Sequence, residues 1–157
     1  MLAGLAVGVV TVGGVVADFF PMLNDLISRP QERTYTATHD ANLLELHGAL
    51  LRYHENEGQF PGAATWMDDI KPLIRTTDMP EDEAKKKFVN PDTAVGTYGY
   101  TFDDDAAGRY RGDLPSGDTP LVFETPGTAW NAHGGAPASG RFVSVDGKLG
   151  TLGAGQP

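Results

Sequence analysis

No Lys, Arg, Asp or Glu occurs before Asp18, and the apolar character resumes beyond it through Phe19, Phe20, Met22 and Leu23. Such a stretch has to be removed, inserted in lipid or buried against copies of itself, because water disfavours it along its whole length. As a secretory signal peptide it offers small residues at Val15-Val16-Ala17 for cleavage, but it lacks the basic region such peptides carry. As a membrane anchor it reaches the roughly 20 residues of a span only if Asp18 is tolerated inside. As the core helix of a filament it is buried by neighbouring copies as well as by lipid. A buried strand of a soluble fold is the plain alternative, since a uniformly apolar run hides its period.

Small residues favour helix packing. Gly4 and Gly8 form a GxxxG spacing, and Gly13 to Ala17 repeats the small-xxx-small pattern, so backbones can approach closely. The expected assembly face comprises Leu2, Gly4, Leu5, Gly8, Val9, Val12, Val16, Phe19, Phe20, Pro21 and Leu23. Pro21 would kink a continuing helix rather than end it.

The rest of the chain differs. Its 157 residues fit one modest domain plus the apolar segment, and 20 Gly and 11 Pro predict many loops. The expected division is an apolar N-terminal helix over 1–27, serving as filament core or membrane anchor, and a globular domain over 28–157. The net charge of −9 falls wholly after position 17. Such an acidic domain repels phosphate backbones, so no nucleic-acid partner is expected. The absence of cysteine excludes disulfides and thiolate metal sites.

Within the globular part, Leu43, Leu46, Leu50 and Tyr53 recur at helical spacing, with Leu44, His47, Leu51 and His54 beside them. An amphipathic helix is expected over about 34–57, capped by Thr38 or Asp40 if it starts later, and ended by Gly58 with Pro61 just beyond. His47 and His54 are seven residues apart, whereas a metal pair wants three or four, so they read as packing residues. Glu81 to Lys87 reads as a short charged helical turn whose charges follow the helix dipole.

Three motifs in order carry a resemblance. The first is Tyr53, a polar stretch, then Gly58-Gln59-Phe60-Pro61; the second is Phe88-Val-Asn-Pro-Asp92 followed by Tyr98-Gly-Tyr100. The third runs Leu121-Val-Phe-Glu124, His133-Gly-Gly135 and Phe142-Val-Ser-Val-Asp-Gly147. Together they resemble type IV pilin-like proteins, particularly major pseudopilins of type II secretion. The last motif resembles a prepilin-like signature of His followed nine residues on by Asp-Gly, although twelve residues separate His133 from Asp146. Asp146-Gly147 also reads by itself as a hairpin turn.

The resemblance implies an α+β fold, with a long kinked N-terminal helix packed on a small antiparallel sheet and a loop-rich C-terminal part. It implies a non-catalytic structural subunit that polymerises as a helical homopolymer. The partners would be copies of itself, the inner membrane before assembly and the pilus or secretion machinery. The destination would be an extracellular filament on the cell surface. The residues depart from the prepilin pattern at position 5, where Leu5 stands in place of Glu, and show no basic leader before the apolar run; either the chain begins after processing or it is an atypical member.

Asp103 and Asp105 with Gly108 echo an Asp-x-Asp-x-x-Gly calcium loop, but Ala107 stands where a ligand is usual and no Glu closes the loop. Calcium is the one cofactor this pattern suggests, and a solvated turn leading to Arg109 and Arg111 is the competing reading. Ser116, Ser139 and Ser144 lack a nucleophile-elbow context. His133 reads as a base oriented by Asp146 or, more simply, as a turn-stabilising residue. The alternatives to a filament subunit are a membrane-anchored or secreted non-catalytic binding module, and a metal-dependent enzyme centred on Asp103, Asp105 and His133.

Overall fold

Thr38 adopts extended backbone (φ −114°, ψ 157°) and its hydroxyl accepts the N–H of Ala41, so the first helix starts immediately after it. This helix, α1, spans His39–Glu57 and ends where Gly58 takes a left-handed conformation (φ 78°) and donates its N–H to His54 O. The leucine stripe does what its spacing demands: Leu43, Leu46 and Leu50 are fully buried, while Leu44 faces outward. The computed structural model of the chain describes residues 38–74 and 79–153. The expected apolar helix over 1–27 and the assembly face from Leu2 to Leu23 lie outside the described residues.

Two more helices follow, α2 (Trp66–Ile74) and α3 (Glu81–Lys86). Trp66, Met67, Ile70 and Ile74 form the buried face of α2. Five strands then build one sheet: β1 (Tyr100–Asp103), β2 (Pro120–Glu124), β3 (His133–Gly134), β4 (Gly140–Ser144) and β5 (Leu149–Leu152), in the spatial order β3-β1-β2-β4-β5. The inner strands β1 and β2 are buried almost throughout, whereas the edge strand β5 alternates exposed and half-buried residues. Asp146-Gly147 makes the expected turn between β4 and β5, with Gly147 at φ 80°. Leu43, Leu46, Leu50, Trp66, Ile70, Phe102 and Val122 belong to the core between helices and sheet.

The expected architecture is corrected in two respects. The described residues form three short helices on a five-stranded mixed sheet, not a long kinked helix on a small antiparallel sheet. The extended backbone of Thr38 interrupts any helix running into α1, so the amphipathic helix starts at His39 and not near 34. The sheet is mixed because β3 lies parallel to β1, with Phe102 opposite His133, while the other three pairs are antiparallel. The return loop 125–132 causes this. It is held across the start of β1 by Tyr98 N–H on Thr128 O (3.0 Å) and by the Thr128 hydroxyl, which donates to Tyr100 O (3.2 Å). Its end is pinned to α2 by Trp130 and Asn131, so β3 lands on the free edge of β1 instead of beside β2.

Candidate functional site

The Gly58–Pro61 turn is built into the domain from both sides. Phe60 is completely buried, its ring tilted against His54 with centroids 5.0 Å apart. Its N–H donates to Arg109 O (2.8 Å), and the N–H of Gly108 donates to Pro61 O (3.1 Å). The end of α1 and the turn after β1 are therefore one unit. His54 completes it by accepting the N–H of Arg111 at Nε2 (3.0 Å) and by packing on Tyr110. His47 is buried too, with Nε2 within 3.0 Å of Val145 O. His47 and His54 are thus both occupied in packing and backbone hydrogen bonds.

The acidic turn divides its carboxylates. Asp103 is buried, and its Oδ1 accepts the N–H of Asp105 (3.0 Å); Asp105 is exposed. Asp104 meets His133 Nδ1 at 2.7 Å. Among the described residues, no group of three or more His, Asp or Glu side chains is placed to hold a metal ion. Nor do His133 and Asp146 pair: Asp146 accepts from Arg111 Nη2 at 2.7 Å, across the foot of the β4–β5 hairpin.

Burial, reinforced by the neighbouring Asp105 and Asp104 charges and opposed by the Asp105 N–H, pushes the Asp103 carboxyl above its usual range. A raised folded-state value means that the stability it contributes is full in strong acid and is lost as the carboxyl ionises on the way to neutral pH. Asp103→Asn removes that ionisation and keeps an oxygen for the Asp105 N–H. It should raise the unfolding midpoint at neutral pH and leave it unchanged in strong acid, as followed by thermal denaturation at both pH values. A lower midpoint at neutral pH would mean that the ionised carboxylate is held by something favourable.

A larger feature lies on another face. A groove of about 1010 Å³ is lined by Trp130, Tyr98, Val89, the 93–97 loop, Asp68 and three lysines. Trp130 packs edge-on to Tyr98 (5.0 Å) and tilted against buried Phe88 (5.0 Å). Its indole N–H donates to Asp68 Oδ1 (2.9 Å), while Asn131 donates to Asp68 Oδ2 (2.6 Å). Those bonds, Asn131's first, hold the Asp68 carboxyl below the usual carboxylate range. Asn131, at φ 58°, also turns its Oδ1 onto Met67 N–H (2.8 Å), capping the start of α2 from across the fold. Asn is among the few residues that tolerate this backbone conformation.

Sequence reasoning missed this groove and one ion cluster. His39 Nδ1 lies 2.9 Å from Glu124 Oε1, and its Nε2 lies 3.2 Å from Asp92 Oδ2, so the ring bridges the two carboxylates. The partners are 85 positions apart for Glu124, and no local pattern announces that pairing. The only signal was position, since His39 follows the cap Thr38 and begins the helix.

The comparisons with known proteins come out empty. No protein-family description, curated protein or solved structure matches this chain. Among the described residues, no helix is long and apolar enough to cross a membrane.

Proposed function

We propose that the chain is the structural subunit of an extracellular pilus-like or pseudopilus filament, polymerising by burial of its apolar segment among neighbouring copies. The observation that carries the reading is the charge-free run Met1–Ala17 joined to a domain of net charge −9. Fully burying each large apolar side chain is worth about 1.5–3 kcal/mol, so a segment with this many can outweigh the ordering costs of assembly. The acidic domain suits the solvated outside of such a polymer. The Gly58–Pro61 turn, with Phe60 buried and both flanking backbone groups bonded to the 108–109 turn, supports the reading because the resemblance rests partly on those residues. In this reading the subunit waits in the inner membrane and is handed to a pilus or secretion assembly machinery.

Electron microscopy of the chain recovered from its native cell surface tests the proposal. Thin helical filaments are expected from the full chain, and a soluble monomer from a chain lacking residues 1–23. A truncated chain that still polymerises, or a full chain found only as discrete particles, overturns it.

A further inference from the structure

The groove and a turn at the other end of α1 have complementary chemistry. Lys71, Lys85 and Lys86, three of the five lysines in a chain of net charge −9, line the groove beside the single lining carboxylate Asp68. Their present partners, Glu81 and Glu83, belong to the same surface. Exposed pairs of this kind contribute at most about 1 kcal/mol each, so exchanging partners costs little. Because the Trp130 indole N–H is spent on Asp68, the ring offers only apolar surface to the groove. Val95 stands wholly exposed at its rim. Apolar surface gathered in this way, rimmed by charge, marks an interaction site.

The complement is the turn around Tyr110, a residue 56% exposed. From Asp103 to Asp113 four carboxylates accompany two guanidinium groups, and Arg111 is tied to Asp146. Asp105 and Asp113, five residues before and three after the tyrosine, are exposed. The two features sit at opposite ends of one rigid element. Asn42, in the first turn of α1, donates to Val89 O at the groove (3.0 Å), whereas His54, in the last turn, accepts from Arg111 (3.0 Å). At 1.5 Å per residue the separation along the helix is roughly 18 Å.

We propose that the Tyr110 turn of one copy docks in the Trp130 groove of the next, with Tyr110 on the Tyr98–Trp130 floor and Asp105 and Asp113 against the groove lysines. Tyrosine suits this role, presenting a large ring at small entropic cost and favouring offset or edge-on packing against other rings. A knob at one end and its groove at the other make a heterologous contact, which propagates as an open polymer unless its rotation closes into a ring. The proposal rests on the filament reading for its setting and supplies that reading with a contact between globular domains.

The chain has no cysteine, so engineered thiols are unambiguous. Full-length Val95→Cys and Arg109→Cys variants, mixed and treated with a short bis-maleimide, should give a mixed cross-linked pair that neither variant gives alone. Tyr110→Ala in the Arg109→Cys chain should abolish the product. Charge reversal of the groove, Lys71→Glu with Lys85→Glu in the Val95→Cys chain, should also remove it. Asp105→Lys with Asp113→Lys in the partner should then restore it, a rescue that a merely misfolded variant cannot show. No mixed product, or equal cross-linking by Val95→Cys alone, overturns the docking. Filaments seen without the cross-link leave the proposed function standing and sink only this contact; cross-linked chains without filaments do the reverse.

Discussion

Trp66→Ala is expected to cost about 3–5 kcal/mol of folding stability, the range for truncating a buried large aromatic residue, read as a lower urea midpoint with an unchanged slope. The side chain is completely buried at the start of α2 and stacks on Phe102 of β1, with ring centroids 5.5 Å apart and planes 23° apart. Its indole N–H also donates to Ala132 O (3.0 Å), next to the residue where β3 joins the sheet. One side chain therefore connects helix, central strand and edge strand, and the cavity left by its removal is bordered by all three. Trp66→Phe separates packing from hydrogen bonding. Ala132 O keeps the N–H of Phe102 as a donor, so losing the indole should cost only about 1 kcal/mol beyond the lost volume. A loss below about 1 kcal/mol for Trp66→Ala would show that the helix–sheet contact is not central to the core.

Phe60→Ala should be of similar size, about 3–5 kcal/mol by the same cavity argument, but with a different structural signature. Phe60 is completely buried against His54, and its backbone N–H is bonded to Arg109 O. Emptying the site should loosen the turn after β1 and raise amide exchange at Gly108 and Arg111, whose N–H groups are held by Pro61 O and His54 Nε2. Phe60→Leu retains most of the volume and should keep those amides protected. If Phe60→Ala destabilises the protein without exposing them, the Gly58–Pro61 turn and the acidic turn do not open together.

Elsewhere in the fold, local pattern was enough. The spacing of Leu43, Leu46 and Leu50 and the glycine at position 58 determined α1 and its end, because helical period and a left-handed cap are properties of a few consecutive residues. Asp146-Gly147 determined its hairpin for the same reason. Thr38 was one of two expected caps, and its hydroxyl bond to Ala41 decided the choice.

The errors arise where distant residues compete. A parallel β3 follows from Thr128, Trp130 and Asn131 holding the return loop across β1 and onto α2, contacts spanning 28 to 64 positions that no window of sequence displays. The carboxylates of the acidic turn read alike in sequence, yet folding buries Asp103, pairs Asp104 with His133 and leaves Asp105 in water. The groove is invisible for the same reason, since Trp130 joins Tyr98 and the lysines only when loop, α2 and α3 converge. Sequence by itself determined the apolar segment, the charge balance and the short-range elements, because composition and period are local. Tertiary structure alone decided the strand order, the partners of each ionisable group and the lining of the Trp130 groove, because those depend on which distant backbones meet.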